Sequence, residues 1–273
     1  ANFSAQLTDE FTPFLRPNQY VNYTEDSTAV AKGAELTAGI EDNLEKVAAI
    51  YDYVVKNLTY DRKKAQTVKS GYLPDIDKVL EEKKGICFDY AALMAAMLRS
   101  QEVPFSLIEQ SRIFHFGTLS MTDEPALEAT RKALDCAKGC GALISFDPNL
   151  RPPLWGSLAI AKDRMREGFS ACDVLKIAGE ELNFITGIGD QNRAALFLMD
   201  HYQIPLVFVT SGREGSAAYY PGGILRQETF LDVPTVDTTG AGDIFFGCML
   251  DTILRLGPEG FSPQEMQEAL RFA

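Results

Sequence analysis

The stretch Asp237-Thr-Thr-Gly-Ala-Gly-Asp243 says more about the fold of this chain than any other. Its small residues let backbone N–H groups approach an anion without obstruction, and the apolar spacing that follows predicts a helix beginning at this turn. A helix N-terminus favours negative charge. We therefore expect Gly240, Ala241 and Gly242 to hold a phosphate group, with Asp243 placed to accept the proton of a hydroxyl. The alternative is an ordinary turn in which the aspartate caps the helix.

Composition limits the classes of protein and partner that are expected. With 273 residues and 46% hydrophobic content, the chain is long enough for one large domain or two smaller ones. Its net charge of -12 argues against nucleic acid or an anionic membrane as the main partner. There is no apolar run of membrane-spanning length, and residues 1–30 lack a signal-peptide pattern. Five cysteines without a CxxC pair favour reduced thiols over a disulfide framework. Composition as a whole predicts a soluble globular protein.

The basic residues divide the chain into two segments. Residues 1–106 contain nine lysines and three arginines, whereas residues 107–273 contain four lysines and ten arginines. The motifs change at the same place, which predicts a junction at 104–108 and two domains, 1–105 and 106–273. The first domain is expected to be mainly helical, because apolar residues recur at helical spacing. The helices predicted there are Glu41–Leu58, Asp75–Lys84 and Cys87–Gln101.

The second segment alternates short β-rich runs with helical patterns. This order is typical of an α/β protein with a doubly wound parallel sheet. Strands are predicted over 113–117, 142–147, 174–177 and 206–210. Helices are predicted near 125–138, 157–170, 179–187, 190–201, 241–256 and 263–272. Pro221-Gly-Gly223 predicts a hairpin that joins 216–220 to 224–230.

Several motifs follow one another in this segment in the order found in one enzyme family. They are Phe114-His-Phe-Gly-Thr-Leu-Ser120, Phe146-Asp-Pro-Asn-Leu-Arg151, Val209-Thr-Ser-Gly-Arg-Glu-Gly215 and the glycine-rich turn. From about Ser106 onward the chain resembles the carbohydrate kinases of the ribokinase and PfkB family, most closely bacterial fructokinases. The resemblance implies a partial ribokinase-like sheet and ATP-dependent transfer of a γ-phosphoryl group to a sugar hydroxyl.

The resemblance also implies roles for the residues of the nucleotide site. Asp243 would be the catalytic base, beside an anion hole formed by the three residues that precede it. Thr210, Gly212 and Gly215 would lie along ATP, the implied cofactor together with Mg²⁺. The alternative for the two glycines is a hairpin turn without a ligand.

Three further residues are implied to bind substrate or metal. Asn149 and Arg151 belong to the motif that the family places near the sugar and the transferred phosphate. Glu181 matches the glutamate of the family's NxxE motif, which organises the water shell of Mg²⁺, although Ala178 stands where the family has asparagine. The alternatives are a surface arginine and a solvated helix glutamate. For His115, an ordinary hydrogen-bonded strand histidine is favoured over a catalyst.

The family's usual extent gives further expectations. Its members open with a sugar-binding half and a small β lid, and residues 1–105 contain neither pattern. The chain also stops before the segment that closes over adenine. We therefore expect a truncated kinase part whose activity is in question, in a cytoplasmic protein. Unpaired sheet edges favour pairing with another chain, so an oligomer is one of the expected states.

The first segment carries an unrelated signature, Gly85-Ile-Cys-Phe-Asp-Tyr90. Residues from about 40 to 104 resemble the transglutaminase-like superfamily, whose core is a papain-like fold. The resemblance implies that Cys87, at a helix N-terminus, is the nucleophile of an acyltransferase or protease. The alternative is a small structural cysteine, because the only nearby histidine is His115. The chain is thus expected to be a chimera of two truncated parts, which leaves three options: a sugar kinase, a cysteine enzyme with an extracellular origin, or an inactive chimera.

Overall fold

The computed structural model describes residues 17–69, 72–101, 111–124, 126–230, 240–257 and 262–273. The chain forms two compact units, Ala1–Leu107 and Ile108–Ala273. Three sequence predictions fall outside the described residues. They concern Asp237–Thr239 of the glycine-rich stretch, the junction at 104–108, and the start of the helix near 125.

Helices build most of the first unit. They are α1 (Thr28–Leu36), α2 (Asn43–Asn57), α3 (Arg62–Thr67), α4 (Ile76–Glu82) and α5 (Cys87–Ser100). Helix α5 contacts α1, α2 and α4, and its Leu93 and Met97 are completely buried. Two short strands, β1 (Thr59–Tyr60) and β2 (Lys84–Gly85), pair in parallel. The three predicted helices are present as α2, α4 and α5, within two residues of the predicted bounds.

A six-stranded sheet forms the centre of the second unit. Its strands are β3 (Ile113–Gly117), β4 (Leu143–Asp147), β5 (Val174–Ala178), β6 (Leu206–Thr210), β7 (Ser216–Tyr220) and β8 (Gly223–Gln227). They lie side by side in chain order. Strands β3 to β6 are parallel, as predicted, whereas β7 runs antiparallel to both of its neighbours, β6 and β8. The sheet is therefore mixed, because the predicted hairpin joins the sheet itself.

Helices cover both faces of this sheet. The described helices are α6 (Ala126–Gly139), α7 (Leu158–Phe169), α8 (Gly179–Thr186), α9 (Gln191–Tyr202), α10 (Ala241–Leu256) and α11 (Pro263–Phe272). Helices α6 to α9 bury one face, and α10 and α11 bury the other. Among the described strands the order never reverses, so they do not include the switch point of a doubly wound sheet. In the part of the chain that is described, no helix is both long and apolar enough to cross a membrane.

Candidate active site

The sheet face beneath α10 is apolar at one end and polar at the other. Alternate residues of each strand point to this face. Those near the amino ends of the parallel strands are apolar: Ile113, Leu143, Val174 and Leu206. The polar side chains on this face lie towards the carboxyl ends: His115, Ser145, Asp147, Lys176 and Thr210. Open α/β sheets bind ligands at the carboxyl ends of their strands, which makes this end the candidate site.

A buried ion pair lies at the centre of the polar end. Lys176 Nζ is 2.8 Å from Asp147 Oδ2, and the two side chains are only 8% and 6% exposed. Burial raises the pKa of Asp147, although the ammonium of Lys176 opposes that rise. Burying a charge is costly unless it is paired, so each partner depends on the other. The pair therefore fixes β4 to β5 beneath the start of α10.

The glycine-rich turn begins α10 directly above this pair. Gly240 has a φ of 77°, and its carbonyl accepts the first helical bond, from Ile244 N at 2.8 Å. The N–H groups of the first turn therefore have no partner within the helix. A Cβ added to Gly242 would lie 2.9 Å from Lys176 Nζ, so only glycine fits without displacing the lysine. Asp243, in the same turn, is exposed.

His115 lies beside the ion pair and contacts α10. Its Nδ1 is 2.8 Å from Ser145 Oγ, and its ring meets Phe246 edge-on at 5.3 Å. Burial lowers the pKa of His115, while the negative charges of Asp147 and Asp243 act in the opposite direction. The histidine is thus a hydrogen-bonded strand residue, as the favoured interpretation of the sequence had it, within the electrostatic reach of the predicted base.

The loop after β4 carries the predicted substrate residues. Asn149 has a φ of 45°, which asparagine tolerates better than most side chains, and its N–H donates to Asp147 Oδ1 at 3.2 Å. Arg151 is exposed, and its Nη1 lies 3.5 Å from the carbonyl of Leu150. Glu181 is tied to this same loop, because Leu150 N donates to its Oε1 at 2.5 Å.

The turn after β6 holds the residues predicted to lie along ATP. Thr210 pairs with Ala178 in the sheet, so its side chain shares the face of Lys176. Gly215 has a φ of 92°, and an added Cβ would lie 2.0 Å from Gln227 O. Gly212 also has a positive φ, and its carbonyl accepts the Gly215 N–H at 3.1 Å. Backbone geometry by itself thus favours glycine at this turn, and the predicted contact of these residues with ATP stays a prediction.

A polar cavity of about 230 Å³ adjoins this turn. Ser211 and Gly215 line one side, with Gln191, Asn192 and Arg226 among the other lining residues. Ser211 Oγ donates to Gln191 Oε1 at 2.8 Å, which ties the turn to the start of α9. No motif in the sequence predicts this cavity.

The surroundings of two further predicted site residues, Cys87 and Glu181, bear on their predicted roles. Cys87 is exposed at the first position of α5, but both histidines of the chain, His115 and His201, belong to the sequence of the second unit. Glu181 is not the solvated residue of the alternative interpretation, because Ala178 N and Leu150 N both donate to its carboxylate. Within the described ranges, no group of three or more His, Cys, Asp or Glu side chains is placed to hold a metal ion.

A larger cavity, of about 490 Å³, lies in the first unit. Several lysines line it, and three of them have acidic partners: Lys64 with Asp89, Lys84 with Asp61 and Lys78 with Glu82. These cations are largely compensated within the protein. The larger cavity is therefore a weaker candidate site than the polar end of the sheet.

Comparison with known proteins agrees with the fold. The family model for pfkB family carbohydrate kinases matches residues 59–273, which is most of the chain. The chain therefore belongs to the PfkB family of carbohydrate kinases. The match begins inside the first unit, upstream of residue 106. No comparison supports a transglutaminase-like segment or a chimera, and both stay predictions.

Within this family the chain is similar to fructokinases. It is 37% identical over 180 residues to probable fructokinase-2 of Arabidopsis thaliana and to fructokinase-2 of Solanum lycopersicum. Each alignment covers 65% of this chain and 54% of the relative. The chain thus spans about half the length of the curated relatives it matches.

Solved structures of fructokinases also match this chain. A fructokinase from Vibrio cholerae O395, with fructose, ADP and calcium bound, matches with a TM-score of 0.53 and 29% identity, over 59% of this chain and 51% of that one. A fructokinase from Xylella fastidiosa with bound ATP matches with a TM-score of 0.55 and 30% identity, over 62% and 55% of the two chains. These similarities support an α/β ribokinase-like fold with a mixed sheet.

Proposed function

We propose that this chain provides the phosphoryl-transfer site of an ATP-dependent, fructokinase-like sugar kinase. One observation carries the proposal: the first turn of α10 leaves its N–H groups and the Asp243 carboxylate free, above the buried pair of Lys176 and Asp147. ATP as donor is supported by the structural neighbours, one of which holds ATP and another ADP. A sugar as acceptor is supported by the family and by the fructose in one neighbour.

In the proposed step these groups act together. Asp243 accepts the proton of the sugar hydroxyl as its oxygen forms a bond to the γ-phosphorus. The bond from the γ-phosphorus to the bridging oxygen breaks at the same time, and ADP leaves. The N–H groups at Gly240, Ala241 and Gly242 face the negative charge on the transferred group.

The other predicted residues keep their roles as part of this proposal. Thr210, Gly212 and Gly215 are proposed to lie along the nucleotide, and Asn149 and Arg151 near the sugar. The described residues do not build a magnesium site of protein ligands alone, so no step is assigned to Mg²⁺. Such an ion usually enters with the nucleotide phosphates.

The test compares two aspartates of the same helix. ATP consumption is measured with fructose for the unmodified chain, for Asp243→Asn and for Asp251→Asn, an exposed matched control in α10 that pairs with Arg255. We expect a loss of about 10²- to 10⁴-fold for Asp243→Asn and little change for the control. Equal rates in all three proteins would contradict the proposal.

The alternative activity at Cys87 has less support. The thiol is exposed at a helix N-terminus, but residues 1–107 contain no histidine to accept its proton. A reactive nucleophile would be labelled by iodoacetamide at neutral pH faster than Cys140, the other exposed thiol. Equal labelling of the two would remove this alternative and leave Cys87 a structural residue.

Assembly and location are also proposals. Strands β3 and β8 are the edges of the sheet among the described strands, which supports pairing with another chain. A monodisperse monomer in light scattering would contradict this pairing. A sugar kinase that consumes ATP would act in the cytoplasm.

A further inference from the structure

The conformation of the loop after β4 depends on contacts from outside it. Pro148 O accepts hydrogen bonds from the N–H and the hydroxyl of Thr118, at 3.2 and 2.5 Å. Asp147 Oδ1 accepts the N–H of Asn149. A left-handed asparagine costs backbone energy and persists only where its surroundings hold it. The loop therefore needs a further contact at its far end.

Glu181 supplies that contact. Its Oε1 accepts Leu150 N at 2.5 Å, and its Oε2 accepts Ala178 N at 3.0 Å. One carboxylate thus joins the substrate loop to the end of β5, from a position in the first turn of α8. Burial raises the pKa of Glu181, and the two backbone donors oppose that rise.

This geometry does not fit a primary role in metal binding. Both carboxylate oxygens are engaged by N–H groups, and Ala178 offers no side-chain oxygen beside them. Among the residues that the structure describes, no acidic cluster surrounds Glu181. Of the two charges that act on its carboxylate, Asp147 and Lys176, the second is an ammonium that opposes a cation and is already paired with the first.

We propose that Glu181 is a positioning residue, which clamps the loop of Asn149 and Arg151 to β5 and α8. It acts through the backbone of Leu150 and Ala178. The sugar-related part of this inference rests on the proposed function, because it assumes that the loop contacts the sugar. The clamp itself does not.

Hydrogen exchange tests the clamp without any activity. In the unmodified chain, NMR should find the Leu150 amide protected, although it belongs to a loop. Glu181→Gln keeps the size of the side chain but can accept only one of the two N–H groups. We expect exchange at Leu150 or Ala178 to become roughly tenfold faster, since a hydrogen bond to a charged group is lost. Glu180→Gln, an exposed matched control, should change neither.

The outcomes of the exchange experiment decide between a clamp and no clamp. Exchange of the Leu150 amide at its intrinsic rate in the unmodified chain overturns the proposal, whether or not Glu181→Gln folds. Equal exchange in Glu181→Gln and Glu180→Gln overturns it as well. Protection that is lost only in Glu181→Gln supports it, even if the chain phosphorylates no sugar.

If the chain is active, steady-state kinetics distinguish a clamp from a metal ligand. A clamp predicts that Glu181→Gln raises the KM for fructose about tenfold and leaves the Mg²⁺ concentration for half-maximal rate unchanged. A role in the metal shell predicts the reverse, and that result would overturn the proposal. An inactive chain would count against the proposed function and leave the exchange result to decide the clamp.

Discussion

The two units place an aspartate at the same position of a helix but in opposite surroundings. Asp89 is the third residue of α5, and Asp243 is the third residue of α10. Asp89 is completely buried, whereas Asp243 is exposed. A carboxylate in the first turn is favoured by the helix dipole in both cases. Position in the helix therefore does not decide function.

The hydrogen bonds of the two carboxylates explain the difference. Asp89 accepts from Lys64 Nζ at 2.7 Å, from Tyr72 OH at 2.6 Å and from Ile86 N at 2.8 Å. Its oxygens are fully used in holding the start of α5. Beneath α10 the equivalent ion pair belongs to strands, as Lys176 and Asp147, and leaves the helix N-terminus open. A buried pair that supports a helix from below keeps that helix available for an anion.

The largest expected effect concerns the strand-borne pair. Lys176→Met leaves Asp147 buried without its cation, and we expect it to lower the free energy of unfolding by about 4 kcal/mol. Trp155, the single tryptophan, lies in the second unit, so its fluorescence in a urea titration reports this loss. Lys138→Met, at an exposed position of α6, is the control. Equal stability of the two variants would mean that the pair does not support the site.

The second effect concerns the aspartate on the helix. Asp89→Asn leaves Lys64 without its carboxylate, and this lysine is 28% exposed, so water replaces part of the interaction. We expect a loss of about 3 kcal/mol, measured by far-UV circular dichroism in urea. Asp243→Asn should change stability little, because its carboxylate is exposed. Equal losses would remove the distinction between the two aspartates.

The third effect concerns the glycines. Gly242→Ala forces a methyl group to within 2.9 Å of Lys176 Nζ, whereas Gly247→Ala, in the same helix, meets nothing within 4 Å. Alanine stabilises a helix interior by about 1 kcal/mol relative to glycine. We expect Gly247→Ala to gain this amount and Gly242→Ala to lose it to displacement of the lysine. A similar gain in both, by Trp155 fluorescence in urea, would show that the ammonium moves freely.

Much of this organisation follows from the sequence, and the exceptions have physical causes. The parallel strands, their helices and the glycine turn have local signals, namely periodicity and backbone requirements. Helices α1 and α3 were not predicted, and α3 has only six residues over which a pattern can repeat. Lys176 was given no role, although a lysine inside the run Val174–Ala178 is itself a signal of a buried charge.

The remaining contacts join residues far apart in the sequence. The partner of Lys176 lies 29 residues earlier, and Leu150 N reaches Glu181 across 31 residues. Such pairs are set by strand register and by the start of a helix, neither of which a local pattern specifies. The sequence therefore singled out Asn149, Arg151 and Thr210 near the carboxyl ends of the strands, but neither the buried pair nor the contacts between these residues.

The smallest expected effect uses the two histidines to test the polar end of the sheet through pH. Burial lowers the pKa of His115 below the value of about 6.5 that applies to an unfolded chain. Below that pH the unfolded chain takes up the proton before the folded one, so the free energy of unfolding falls as the pH drops towards the folded pKa. The contribution is fully present above pH 6.5.

His115→Gln should therefore flatten the decline in the free energy of unfolding between pH 7 and pH 5, followed by Trp155 fluorescence in urea. His201→Gln, at an exposed position of α9, is the matched control and should leave the decline unchanged. The raised pKa of Asp147 acts with the opposite sign, because stability falls as the pH rises through its window. The charge of His115 lowers the pKa of Asp147, so His115→Gln raises that pKa further and adds to the flattening. If both variants keep the original slope, burial at the polar end of the sheet does not lower the pKa of His115, and this end does not differ from an exposed position in its effect on a histidine.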